Sequence, residues 1–447
     1  MSFLIRNATL INEGKRFTAH LLTNGQYIQK IISAEDNPDF TVQNAEVIEA
    51  DGLWLLPGVI DDQVHFREPG LTHKGTFASE SAAAAAGGIT SVMEMPNTIP
   101  FADSIEKINQ KIEIADKSSF VNYAFFLGAT NDNINEVKKA DHSNVCGIKL
   151  FMGSSTGNML VDDKKTLERI FAETPVLLAI HSEDETIIKN NLASFREKFN
   201  DDIPTSAHPL IRSAEACYVC TSRAIELANR FQTRLHVLHL STAREADLFE
   251  KKSLSEKRIT TEVCVHHLWF DDSFYNSLGT HIKWNPAIKS SADRDALRAA
   301  LLDGRIDIVA TDHAPHTLAE KDQTYLKAPS GGPLVQHALP AMLTMAEQGI
   351  FTAEQVVDKM CHAPALCYKI KKRGFLREGY FADFVLVNPN ALQTVEKSNL
   401  LYHCGWSPFE GITFHSEITA TFVNGNRVYT NGEPLQKGHT MKLEFES

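Results

Sequence analysis

Cysteine is sparse in this chain: seven residues among 447, scattered and odd in number, which argues against a disulfide framework and for reduced thiols in a cytoplasm. Long apolar runs are also missing. None approaches ~20 residues, so no segment reads as spanning a membrane. There is no basic excess either. The 44 Lys and Arg stand against 56 Asp and Glu, a formal net charge of -12, so the basic stripe that tracks phosphates is absent and nucleic acid is excluded as a partner. The first residues, Met1 to Asn7, lack the charged and apolar segments of a signal peptide and read as the start of a strand. No internal repeat is visible, and low complexity is confined to one alanine run. Cys217 and Cys220 form the one close cysteine pair, at a helical spacing that favours a packed face over a metal or redox site.

What the chain does have is length and apolar content, 447 residues at 43% apolar, enough for one large core and a smaller companion domain. The first ~55 residues alternate apolar and polar, with turn signals at Asn12-Glu13-Gly14 and Asn24-Gly25. The same alternation returns at Asp383 to Val387, Ile418 to Val423 and Arg427 to Tyr429, so the two ends are expected to pair into one small β-sandwich. Between them strand and helix alternate. Strands are expected near 57–65, 89–95, 121–127, 145–151, 175–181, 235–240, 259–265 and 306–311, and eight is the number that closes a parallel barrel. Phe77 to Ala86, rich in alanine and stopped by Gly87-Gly88, reads as the first barrel helix. The fold class is therefore α/β: an N-terminal sandwich part over 1–56, a (β/α)8 TIM barrel over 57–370 and a C-terminal sandwich part over 371–447.

Five apolar runs each stop on a residue able to hold a metal: Leu55 to His65, Val145 to Lys149, Val176 to His181, Leu235 to His239 and Ile306 to Asp312. Parallel barrel strands carry their C-terminal ends to one rim, where ligands far apart in sequence converge. Each residue also has a plainer reading. His65 alone fits a hydrogen-bonded histidine at a strand end. Lys149 sits in an apolar run, Gly147 to Met152, where an ammonium costs several kcal/mol unless paired or neutralised. It is either a salt-bridged or edge lysine, or an amine neutralised and carboxylated by carbon dioxide so that two oxygens bridge two cations. His181 and His239 close comparable strands, and imidazole suits zinc. His236 falls on the other face of its strand by period two and is the poorer candidate. In Ala310 to His316 an aspartate ends the last strand and two histidines follow, which reads as a metal-bound proton carrier or as a capping aspartate with loop histidines.

Pro57 to Gly70, Met95 to Thr98, Gly147 to Met152, the strand ends at His181 and His239, Glu262 to Leu268 and Ala310 to His316 together resemble the amidohydrolase superfamily and, within it, the dihydroorotases. The resemblance covers nearly the whole chain and keeps the order of the motifs. It implies a metal centre at the strand C-termini and reversible closure of N-carbamoyl-L-aspartate to L-dihydroorotate in pyrimidine biosynthesis. It assigns Lys149 as the N6-carboxylated bridge of one or two Zn2+ ions, His181 and His239 as ligands of one ion, and His65 with Asp312 as ligands of the other. Arg67, Asn97 and His316 fall to the substrate carboxylate and Asn285 to the pyrimidine ring, while Asp312 carries the proton to or from the ring nitrogen. A planar arginine fork suits a carboxylate better than a point-charge lysine. A homodimer is the default assembly, with aspartate transcarbamoylase as a possible associate.

One departure bears on the metal. The family's first strand ends in histidine, any residue, histidine; here it is Gln63-Val64-His65, and an amide oxygen is a poorer zinc ligand than imidazole. After Asn285-Pro286 stands Ala287-Ile288-Lys289, and Val265 replaces a common proline. Two other readings stay open: a hydantoinase- or allantoinase-type cyclic amidase with the same ligands, and a non-catalytic scaffold subunit, which Gln63 alone favours. Lys321 to Gly332 reads either as a mobile loop over the site or as a plain surface connection.

Overall fold

Eight parallel strands form at the expected places: β1 Val59–Val64, β2 Ile89–Glu94, β3 Asn122–Gly128, β4 Gly147–Phe151, β5 Leu178–His181, β6 Leu235–Val237, β7 Ile259–Cys264 and β8 Ile308–Ala310. They pair in sequence order in one sheet. Such strands are covered on both faces, which is why they read as unbroken apolar runs. The structure is a computed structural model that describes residues 2–153 and 159–446; Met1 and Ser447, the outer limits of the expected domains, lie outside them.

Closure of the barrel between β8 and β1 depends on polar groups just past the regular ladder. His65 N–H donates to His313 O at 2.7 Å beside a parallel bridge between Val64 and His313. Asp61 accepts from the Thr311 hydroxyl at 2.6 Å and from Thr311 N at 3.2 Å, stapling the first strand to the last. Burial pushes the Asp61 carboxyl up to about 7, against the pull of these bonds. The register between β1 and β2 shifts between Val59 and Ile60 and again between Asp61 and Val64.

The helices start where short polar side chains can cap them. In α1, Phe77–Ala86, Thr76 and Ser79 cap each other reciprocally, and the helix ends at Gly87, where a Cβ would lie 2.1 Å from Val335 O. Ser104 caps α2 Ile105–Ser118, Asp184 caps α3 Glu185–Phe199, Ser213 caps α4 Ala214–Phe231 and Ser290 caps α5 Ser291–Leu302. Each capping oxygen accepts an N–H of the first turn, one of the donors a helix start leaves unpaired. Cys217 and Cys220 are buried on α4, so the packed-face reading of that pair holds. All seven cysteines are free.

The two chain ends meet as expected, built as one hydrogen-bonded mixed sheet of nine strands. Trp54–Pro57 is its seam, parallel to Phe3–Asn12 on one side and antiparallel to Phe384–Asn388 on the other. Aromatic packing holds the ends together: the Phe3 and Phe384 rings lie 5.0 and 4.4 Å from that of Phe422. Pro57 ends this seam two residues before β1, so the strand that carries Gln63 and His65 starts from a fixed point. No helix among the described residues is long and apolar enough to cross a membrane.

Candidate metal centre and its cavity

A cavity of roughly 230 Å³ opens at the C-terminal ends of the barrel strands, and all ten candidate side chains line it: Gln63, His65, Arg67, Asn97, Lys149, His181, His239, Asn285, Asp312 and His316. That volume holds one small ring with its substituents and excludes a polymer.

Two pairs of candidate ligands face each other, and hydrogen bonds from outside the pairs decide which atoms do so. His65 Nδ1–H donates to Asn97 Oδ1 at 2.6 Å, which turns the Nε2 lone pair toward Asp312 Oδ1, 3.2 Å away. His181 Nε2–H donates to Glu183 Oε2 at 3.0 Å, which turns its Nδ1 lone pair toward His239 Nε2 at 3.1 Å. Acceptors brought face to face in this way suit a cation, and a histidine held through its other nitrogen is the usual support of a metal ligand. Burial drives all three imidazoles below their ordinary value, so they are neutral and able to donate lone pairs. The buried Nδ1 of His239 has no hydrogen-bond partner among the described residues.

Glu183 is a residue that sequence reasoning missed. Burial alone would raise its carboxyl, but Arg212 and His181 hold it down to about 2. It stays an anion that fixes the His181 ring. The signal was present in His181-Ser182-Glu183, a carboxylate two residues past a ligand. Glu183→Gln is expected to weaken metal binding about 10–100-fold, measured by competition with a chelator; unchanged affinity would remove the support role.

Lys149 is 1% exposed, and its ammonium faces the Phe151 ring at 4.7 Å without an ion pair among the described residues. Burial pulls it down to about 7, partly offset by Asp312 and Glu262. The edge and salt-bridge readings of this lysine therefore fail. Gln63 is turned away from the role of ligand: its Nε2 donates to Asp312 Oδ1 at 3.1 Å, and its Oε1 lies 3.9 Å from Cys264 Sγ. It holds the aspartate where the family's histidine would hold a metal.

Across the cavity the groups that the resemblance assigns to the substrate come together. Lys74 Nζ donates to His316 Nδ1 at 3.0 Å, leaving the imidazole proton on Nε2, 3.1 Å from Ser330 O. Arg67 Nη2 lies 3.1 Å from that same nitrogen, and Arg67 Nε donates to Pro315 O at 3.0 Å. Burial lowers the guanidinium to about 10, which leaves it charged at neutral pH. Asn285 offers a buried Oδ1 with no hydrogen-bond partner among the described residues. Asn97 has its oxygen engaged by His65 and so presents its NH2 group. The aspartate-cap reading of Ala310 to His316 fails, since no helix starts at Asp312; His313 turns away to Glu80 of α1 at 2.8 Å.

Lys321 to Gly332 borders the site and is not a plain surface connection. Pro329, Ser330 and Gly331 line the cavity, and buried Lys321 donates to Lys283 O, Pro329 O and Gly331 O at 3.3, 3.0 and 2.7 Å. Arg67, His239 and Asp312 have positive φ, 71°, 44° and 48°, a conformation non-glycine residues adopt rarely and mostly where a site requires it.

The sequence profile of the amidohydrolase family matches residues 54–428. The chain belongs to the amidohydrolase family. It is 34% identical over 421 residues to a dihydroorotase of Methanosarcina acetivorans, covering 91% of this chain and 88% of that one. It is also 34% identical over 431 residues to a dihydroorotase of Halobacterium salinarum, covering 95% and 96%. Among solved structures it resembles an L-hydantoinase (dihydropyrimidinase) from Arthrobacter aurescens, with a TM-score of 0.93, 26% identity and 99% of each chain covered. Members of this family generally depend on metal, and the facing acceptor pairs above are what such an ion requires.

Proposed function

We propose that this amidohydrolase is a dihydroorotase, closing N-carbamoyl-L-aspartate to L-dihydroorotate and reopening it, in the cytoplasm and within pyrimidine biosynthesis. The observation that carries the reading is the meeting of Arg67, Asn97 and His316 across one small cavity from His65, Lys149, His181, His239 and Asp312. A carboxylate cradle beside a metal-ligand set suits a cyclic amide that bears a carboxylate. The relatives named dihydroorotase support the same substrate.

His181 with His239 would hold one zinc ion and His65 with Asp312 a second, joined by N6-carboxylated Lys149. Bound there, zinc supplies Lewis acidity toward the ring carbonyl and an acidified water. The chain's own residues do the rest. The Arg67 fork and the Asn97 amide fix the substrate carboxylate, and Asn285 Oδ1 accepts from a ring N–H. This positioning sets the reacting carbonyl against the ligand set, a contribution of several kcal/mol. Gln63 holds Asp312 Oδ1, leaving Oδ2 without a partner among the described residues to take the proton from water and hand it to the departing nitrogen. A homodimer is part of the same proposal, checked by mass in solution, as is association with aspartate transcarbamoylase, checked by co-purification.

A hydantoinase-type activity is the second reading, favoured by the fold likeness to L-hydantoinase. Turnover of dihydroorotate, hydantoin and allantoin by the zinc-loaded protein separates the two. Dihydroorotate is expected to have the highest kcat/KM, and preference for either of the others would overturn the proposal. Arg67→Ala is expected to lower kcat/KM for dihydroorotate about 10–100-fold, chiefly through KM, the loss of one charged hydrogen-bond set.

A further inference from the structure

Nearer the N-terminal ends of the strands, three buried side chains meet inside the barrel: Asp62 of β1, His236 of β6 and Glu262 of β7. Their ligand atoms lie within 4.8 Å of one another. His236 Nε2 is 3.3 Å from Glu262 Oε2 and 3.6 Å from Asp62 Oδ2, and none of the three residues is exposed. Asp62 shares the inward face of β1 with Ile60, and His236 shares that of β6 with Leu238, so ordinary two-residue alternation gathers the group inside the barrel.

The hydrogen bonds around the group come from its rim, and its centre holds the imidazole nitrogen and the two carboxyl groups. Thr260 Oγ1 donates to Leu235 O at 3.3 Å and so takes the Nδ1–H of His236 at 2.8 Å. The Nε2 lone pair is thereby aimed at the two carboxylates. Glu262 Oε1 is occupied by the backbone N–H of His239 at 3.2 Å, and Asp62 has the Tyr368 hydroxyl as a donor and Glu262 as a second side-chain partner. Three acceptors turned toward one another in a dry interior cost several kcal/mol unless positive charge lies between them. Nearby Tyr368 packs its ring 5.8 Å from that of His236.

We propose that Asp62, His236 and Glu262 hold a zinc-type divalent cation of their own, separate from the metal at the cavity. One imidazole nitrogen and two carboxylates form a borderline N,O donor set of the kind zinc accepts, and Thr260 gives the imidazole the outer hydrogen bond that metal-binding histidines need. The ion is structural. It ties β1, β6 and β7 together and, through Glu262 Oε1 on His239 N, anchors the strand end that bears a cavity ligand. His236 is thus a poor ligand for the cavity because it serves this lower site.

Diffraction from zinc-loaded crystals on both sides of the zinc absorption edge tests this directly. An anomalous peak is expected among the three side chains. Asp62→Asn and Glu262→Gln, each nearly isosteric, are expected to contain about one equivalent of zinc less than the unsubstituted protein, since each removes a charged ligand. Absence of the peak overturns the proposal whatever the cavity shows, so its failure is separate from failure of the dihydroorotase reading. Equal zinc content in Asp62→Asn overturns it too. An infrared band of a buried carboxylic acid in the zinc-loaded protein, lost in Asp62→Asn, would mean that a shared proton occupies the place of the metal. Should both variants fail to fold, the anomalous map of the unsubstituted protein decides.

Discussion

Asparagine at position 312 is expected to lower kcat by about 10²–10⁴-fold, the range for losing a positioned acid–base group. Asparagine is the right replacement because Asp312 has a φ of 48°, which asparagine tolerates better than alanine does. Its carbonyl oxygen can still accept from Gln63 Nε2, so the loop keeps its shape while the group that moves the proton is gone. KM for dihydroorotate should change little, because the carboxylate is held across the cavity by Arg67 and its neighbours. A fall in kcat with KM preserved is the signature of an interaction made in the transition state. Retention of more than about a tenth of the unsubstituted kcat would take Asp312 out of the proton path. Asp312→Ala should abolish activity, and a zinc-loaded unsubstituted protein with no turnover at all would favour the scaffold reading.

Lys149→Ala carries the second large effect. With no anionic bridge between the ligand pairs, metal content should drop and kcat/KM should fall about 10³-fold or more, several kcal/mol of transition-state stabilisation. The pH dependence has a definite sign. Carbon dioxide adds to the neutral amine, and burial pulls Lys149 down to about 7, so the reactive form dominates above that pH and the ammonium below it. Reloading of metal-stripped, decarboxylated protein with zinc at a fixed dissolved carbon dioxide concentration should therefore speed up as pH rises through about 7 and then level off. A rate that continues to climb toward the ordinary lysine range near ~10.4 would show that the amine is not desolvated as described. Unchanged metal content in Lys149→Ala would remove the bridge from the account.

The barrel was readable because strands buried on both faces cannot hide their apolar runs, and all eight lie where those runs predict. The alanine-rich helix was readable to the residue, Phe77–Ala86, since its propensity, cap and glycine stop agree. The strand-end residues His65, Lys149, His181, His239 and Asp312 were readable for a different reason: strand C-termini share one rim, so position along a strand says who meets whom, while Arg67, Asn97, Asn285 and His316 came from the family resemblance. Orientation was not readable. Gln63 looked like a weakened ligand and is a hydrogen-bond donor to Asp312. Asn97 looked like a substrate residue alone, yet its oxygen also steers His65. Asp61 and Asp62 are neighbours on β1 and face opposite sides of the strand, one meeting Thr311 and the other His236 and Glu262.

Composition and pattern by themselves determined the fold class, the rim and the five strand-end residues gathered there, because burial periodicity and strand direction are local properties of a chain, while the family resemblance supplied Arg67, Asn97, Asn285 and His316. Only the tertiary structure decided which nitrogen of His65 and His181 turns inward, what Gln63 does and why Asp62 lies beside His236. Those choices are made by partners 2 to 250 residues away in sequence, as between His181 and Glu183 or between Thr311 and Asp61, and a hydrogen bond has a direction that no one-dimensional spacing records.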